Sequence, residues 1–171
     1  MQEQMKKTVV AVSGGFDPLH PGHVRMFHDA KKLGDELVVI LNNDNWLYKK
    51  KGYVFMNERE RKEVIKAIKY VDQVVITNHP KDPKDAKAMG VSKELKELKP
   101  DIFANGGDRD EKNAANLNSS LHWDIKTCAG LGIKMVFNVG HGGKIQSSSA
   151  LVDQAMRKAP RKIAVKVKSK R

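Results

Sequence analysis

Short apolar runs, each ending in glycine, asparagine or threonine and each followed by a stretch with helical spacing, recur along the whole chain. KKTVVAVSGG, DELVVILNN, DQVVIT, DIFANGG and IKMVFNVG are the apolar runs. They are near-continuous in Val, Ile and Leu rather than alternating, the pattern of strands buried on both faces. Between and after them lie HVRMFHDAKKLG, closed by Gly34, and NERERKEVIKAIKYV, whose Asn can cap and whose early acids suit a helix start. A third helical segment covers 84–98 and is interrupted near Gly90. A fourth covers about 113–130, and SSSALVDQAMRK forms the last. Strand, helix, strand, helix predicts an α/β fold: a Rossmann-like open parallel sheet of about five strands with helices on both faces. No repeat and no Gly/Ser/Pro-rich linker divides the chain, so residues 1–156 read as one domain and 157–171 as a basic C-terminal tail.

Charge and cysteine content narrow the function classes. The net charge is +12 over 171 residues, and the tail RKAPRKIAVKVKSKR holds eight Lys or Arg and no acid, leaving +4 for residues 1–156. A mildly basic body without a nucleic-acid motif argues against a nucleic-acid-binding module. The tail keeps open an attraction to nucleic acid, anionic lipid or an acidic partner, beside the plain reading of a solvated end. No run reaches the roughly 20 apolar residues of a membrane span. Cys128 is the single cysteine, so no internal disulfide forms. The start MQEQMKKTVV lacks a signal-peptide pattern. A cytoplasmic setting is expected.

In an open parallel sheet, ligands sit beyond the carboxyl ends of the strands, where strand order reverses. Four strand ends here carry conspicuous sequences: SGGFDPLHPGH, LNND, ANGGDRD and VGHGGKIQSSS. The first is the most specific. Gly14 and Gly15 allow close backbone approach to a ligand, but the spacing is not GxGxxG. The turn runs on to His20-Pro21-Gly22-His23. A helix starting near Pro21 puts the two imidazoles one turn apart on one face, beside the positive end of the helix dipole. Gly22 keeps a side chain out of the space between them. This predicts a two-imidazole clamp over an anionic phosphate. A zinc site from His20, His23 and Asp17 is the rival reading, but no third ligand stands at clear spacing beyond Asp17. Magnesium brought by a triphosphate suits the turn better. Ser147, Ser148 and Ser149 supply a cap and free backbone N–H groups at a helix start, which suits further phosphates.

GGFDPLHPGH resembles the HxGH signature of the nucleotidyltransferase superfamily of cytidylyltransferases and several adenylyltransferases. HVRMFHDAKKLGDELVVILNND and NERERKEVIKAIKYVDQVV resemble glycerol-3-phosphate cytidylyltransferases and the heptose-phosphate adenylyltransferase domain. KIQSSSALV resembles their ISTT-type segment, and the matches together span 8–152. The resemblance implies transfer of a nucleoside monophosphate. An acceptor phosphate or phosphonate oxygen attacks the α-phosphorus of a nucleoside triphosphate, and pyrophosphate leaves in line, with Mg²⁺ accompanying the triphosphate.

It also implies roles for individual residues. His20 and His23 donate hydrogen bonds or positive charge to the α-phosphate and leaving oxygen. Gly14, Gly15, Phe16, Asp17 and Gly22 contact the nucleotide. In the stretch after the second strand, read as a loop, Lys51 meets phosphate, with Lys50 as the alternative register. Arg61 faces phosphate, with Arg59 as its offset alternative. Gly107 and Asp108 border base or ribose. The serines 147–149 take the triphosphate. The arginine that often precedes that segment is missing, and His141 and Lys144 are the available stand-ins. The GGD at 106–108 matches the heptose-phosphate pattern rather than the GDD of the glycerol-phosphate enzymes. The base is therefore open: CTP with a polyol, sugar or alcohol phosphate is the leading expectation, ATP with a sugar phosphate the alternative. A homodimer is expected by the same resemblance.

Overall fold

A sheet whose third-from-left strand is the first in sequence organises the protein. In a computed structural model, which describes residues 6–107, 115–142 and 146–158, the strands are β1 (Val9–Gly14), β2 (Glu36–Leu41), β3 (Gln73–Ile76), β4 (Ile102–Gly106) and β5 (Lys134–Val139). Their order is β3-β2-β1-β4-β5, and every neighbouring pair is parallel. Helices α1 (Pro21–Lys31), α2 (Asp44–Lys51), α3 (Glu58–Lys66), α4 (Ser92–Leu98), α5 (Ser120–Leu131) and α6 (Ser148–Lys158) follow the strands, with one 3₁₀ turn at Lys87–Met89. This is the α/β Rossmann-like architecture that the alternation predicts. No helix among the described residues is long and apolar enough to cross a membrane.

Alternate residues of the strands feed two separate cores. Val10, Val12, Leu37, Val39 and Leu41 pack on one face with Met26, Phe27 and Ala30 of α1 and Ile65 of α3. Ala11, Ile40 and Phe103 pack on the other with Val91, Leu95 of α4 and Cys128 of α5. Both faces of the central strands are thus apolar, which is why their sequences run without polar alternation. Burial pushes the Cys128 thiol up to about 12, so it behaves as a packed apolar group.

The strand register opens the cleft. β1 and β2 pair along six residues, from Val9↔Glu36 to Gly14↔Leu41. β1 and β4 pair only at Val10↔Ile102 and Ala11↔Phe103. Beyond Ala11 these two strands part, at the point where chain order reverses. A crevice at their carboxyl ends follows directly.

Two elements differ from the sequence reading. The stretch 44–51 is a helix rather than a loop: Asn43 caps it by accepting from Trp46 N–H, and Gly52 ends it at φ +81°. The helix expected over 113–130 begins only at Ser120, capped by Ser119.

Candidate functional site

A cleft of about 410 Å³ lies where β1 and β4 diverge, within the range of small-molecule sites. Its walls come from the β1–α1 turn (Ser13–Phe16, His20, Gly22, His23), Met26, Lys51 of α2, the end of β4 (Asn105–Gly107), the end of β5 (Val139–His141), and Gln146–Ser149 at the start of α6. The four conspicuous strand ends of the sequence contribute unequally. Those after β1, β4 and β5 line the cleft. The one after β2 reaches it only through Lys51.

The β1–α1 turn fixes the two histidines through the helix cap. His20 is the N-cap of α1, and its Nδ1 accepts from Gly22 N–H at 3.2 Å. His23 occupies the third helical position, and its Nδ1 accepts from His20 N–H at 3.3 Å. An Nδ1 that accepts a backbone N–H carries no proton, so each neutral ring holds its hydrogen on Nε2. The rings stack with centroids 3.7 Å apart and planes at 25°. Phe16 meets His23 edge-on at 5.0 Å and holds it from behind. Gly22 is needed here: a Cβ would lie 3.0 Å from the His20 ring.

Both imidazoles are neutral in the free protein. Burial, then the charge of His20 and of Lys51, pulls His23 down to about 3. Burial and Lys51 also lower His20. The pair therefore presents N–H dipoles, and the positive charge beside it belongs to Lys51. Lys51 Nζ donates to the Asp17 carbonyl at 2.8 Å while lining the cleft. Burial lowers its own pKa, countered in part by the Asp17 carboxylate.

Two expectations are corrected. Arg61 does not face the cleft. It is fully buried, its Nε donates to Met56 O, its Nη1 to Gly15 O and Asn42 O, and its Nη2 to Asp44 Oδ1 at 2.6 Å. Four donors of its fork meet three carbonyls and a carboxylate, tying the ends of β1 and β2 to the segment before α3. Asp17 is likewise fully buried, and its carboxylate accepts from Phe55 and Met56 N–H at 2.7 and 2.8 Å. It braces the turn against the segment before α3 and is not among the residues lining the cleft. With Asp17 and both Nδ1 atoms so engaged, the His20–His23–Asp17 zinc reading has no free donor set. Lys50 is exposed and lines nothing in the cleft, whereas Lys51, one position on, does.

Gly14 and Gly15 serve packing behind the turn. A Cβ on Gly14 would lie 2.8 Å from the Phe16 ring, and one on Gly15 2.8 Å from Leu47. Phe16 itself is buried in the core cluster, with its backbone at φ +49°. Across the cleft, Ser147 Oγ caps α6 by accepting from Ala150 N–H, and Ser148 Oγ donates to Pro18 O at 2.9 Å, joining the two walls. Ser149 is exposed in the first turn. Gly107 lines the cleft at φ +71°. Asp108 and Lys144 lie outside the described residues. Ser13, Met26, Asn105, Gly106, Gly140 and Gln146 line the cleft without having been singled out. Gly106 had a signal, the double glycine after β4. Its Cβ would meet Met26 Sδ at 2.6 Å, so only glycine lets α1 lie this close to β4.

Comparison with known proteins places the chain in a family. A family model described as cytidylyltransferase-like matches residues 11–129. The chain belongs to the cytidylyltransferase-like family. Among curated relatives of this family member is a protein named FAD synthase from Pyrococcus horikoshii, 46% identical over 107 residues, covering 61% of this chain and 66% of that protein. The match thus spans just under two thirds of that relative's length. A FAD synthase from Thermococcus sibiricus is 44% identical over 127 residues, 68% of this chain and 80% of that protein. A solved structure of the lipopolysaccharide core biosynthesis protein from Thermoplasma volcanium superposes with a TM-score of 0.59 at 29% identity, covering 80% of this chain and 99% of that one. Thermotoga maritima TmcAL, solved with alpha-thio ATP, gives a TM-score of 0.64 at 15% identity over 88% of this chain and 50% of that one, and shares the fold. The cytidylyltransferase-like chain is thus a member of the HxGH nucleotidyltransferase superfamily.

Proposed function

We propose that the protein transfers AMP from ATP to FMN, giving FAD and pyrophosphate. The match to relatives named FAD synthase, one of them over 80% of its length, carries this reading. FAD is FMN joined to AMP through a phosphoanhydride, so its synthesis requires an adenylyl transfer. The relatives therefore favour the ATP alternative over the CTP expectation, and the acceptor becomes a ribityl phosphate rather than a small polyol or sugar phosphate.

In the reaction a phosphate oxygen of FMN attacks the α-phosphorus of ATP. The bond from the α-phosphorus to the bridging oxygen breaks, and pyrophosphate leaves with that oxygen. The enzyme's task is positioning and charge stabilisation. His20 and His23 donate Nε2–H to oxygens of the α-phosphate as charge builds there. Lys51 adds a cation, and the first turn of α6 at Ser147–Ser149 offers backbone N–H groups to the β- and γ-phosphates. Gly107, which lines the cleft, borders the adenosine. Mg²⁺ enters with the triphosphate, held by its phosphate oxygens.

The test is direct. Each of the four triphosphates is incubated with Mg²⁺ and with FMN, glycerol phosphate or a heptose phosphate, and pyrophosphate and dinucleotide are measured. ATP with FMN should release pyrophosphate and FAD in equal amounts. Turnover confined to CTP and a polyol phosphate would replace this reading with the cytidylyl one.

A further inference from the structure

A second histidine pair stands at the other end of α1, and its chemistry differs from that of the clamp. Asp29 lies between His28, its neighbour on α1, and His141, 112 positions later at the end of β5. Asp29 Oδ1 is 3.1 Å from His28 Nδ1, and Asp29 Oδ2 is 2.8 Å from His141 Nδ1. One ligand atom from each of the three residues lies within 4.8 Å of the other two.

We propose that His28, Asp29 and His141 form a binding site for a divalent transition-metal cation of the zinc or cobalt class. Two imidazole nitrogens and a carboxylate oxygen are a donor set that such ions take, with water in the remaining position. Bonds of about 2.0–2.1 Å in a tetrahedron place neighbouring ligand atoms roughly 3.3 Å apart. The two nitrogen–oxygen separations, 3.1 and 2.8 Å, run to the two oxygens of the one carboxylate, so a rotation of that carboxylate and an opening of about half an ångström would admit the ion. The ion would replace the shared protons with side-chain shifts alone. The rings are also held in place: Tyr70 packs on His28 at 4.7 Å, and the Asp29 carboxylate accepts from the His141 backbone N–H at 2.8 Å. Such outer contacts orient metal ligands. Lys32 Nζ stands 3.3 Å from Asp29 Oδ1, but this lysine is exposed and can turn away. The ion would pin the segment after β5, which lines the cleft, to α1. The site does not depend on which nucleotide the cleft accepts.

The experiment uses the full chain, stripped with chelator and titrated calorimetrically with Zn²⁺ in the absence of nucleotide. Cobalt is the spectroscopic probe, since mixed nitrogen and oxygen ligation of low coordination number gives visible d–d absorption. One equivalent of Zn²⁺ should bind and raise the melting temperature. Asp29→Asn and His28→Gln should weaken binding tenfold or more. His141→Gln, at an exposed side chain that leaves α1 intact, should do the same if the other variants fold poorly. The double variant His20→Ala/His23→Ala should retain the site. Absence of Zn²⁺ binding, or binding unchanged in His141→Gln, overturns the proposal. Loss of binding in the His20/His23 variant moves the ion to the clamp and overturns it equally.

Discussion

The two histidine pairs of this protein sit at opposite ends of one helix and are prepared for ligands of opposite sign. At the start of α1, His20 and His23 spend their Nδ1 atoms on backbone N–H groups. Among the described residues no carboxylate lines the cleft, and Lys51 lowers their proton affinity further. What remains is two N–H dipoles and a lysine, an environment for an anion. At the end of α1, His28 and His141 flank a carboxylate. There the donors are lone pairs and negative charge, an environment for a cation. The same side chain becomes an electrophile or a ligand according to which atom its partner occupies.

The largest effect that could break this contrast is on turnover. In the proposed transfer His23→Ala removes one of the N–H donors to the α-phosphate, and loss of one such donor costs about 10²–10³ in kcat. Pyrophosphate release should fall by at least a hundredfold while nucleotide still binds. A variant with near-normal turnover would remove His23 from the reaction. Lys51→Ala comes next. It takes away a half-buried cation, so kcat/KM should fall about tenfold or more, in keeping with a charge-assisted contact of about 1.5–3 kcal/mol. It should also raise the His23 pKa, because the lysine charge is one of the causes of its depression.

Much of the fold was legible because parallel strands buried on both faces leave unbroken runs of Val, Ile and Leu, as in ELVVIL. The rim was legible because glycine and histidine at a strand end have few purely structural uses together. Helix α2 was not read, since DNWLYKKK offers little amphipathic pattern over eight residues. Its signals were the cap residues Asn43 and Gly52 at either end. Arg61 was assigned to phosphate from the family resemblance alone. Ile65, four positions on and fully buried, marks the same helix face as inward. The Asp29–His141 contact joins residues 112 apart, and no local spacing encodes it.

A smaller effect sharpens the contrast through pH. His23 is held at about 3 in the folded state against 6.5 ordinarily. A histidine depressed on folding contributes stability that is fully present above 6.5 and is lost as pH falls from there toward 3. The loss approaches about 1.4 kcal/mol per pH unit for one such group. Melting temperature should therefore decline between pH 6.5 and 4, and His23→Gln should flatten that decline. An equal decline in the variant would place the titrating group elsewhere. For the same reason the kcat/KM profile should show no protonation of His23 near pH 6.5.

The smallest effect belongs to Lys50 and acts as the control for Lys51. The two lysines are adjacent, but successive residues of a helix point about 100° apart, and only Lys51 reaches the cleft. An exposed side chain without such contacts changes stability by less than about 0.5 kcal/mol, a factor near two in any equilibrium. Lys50→Ala should thus alter turnover less than about twofold and leave the acid decline of stability where it was. If instead Lys50→Ala lowers kcat/KM tenfold and Lys51→Ala does not, the register of α2 against the β1–α1 turn is wrong. The neutral state of His20 and His23 would then lose one of its causes, and burial alone would have to account for it.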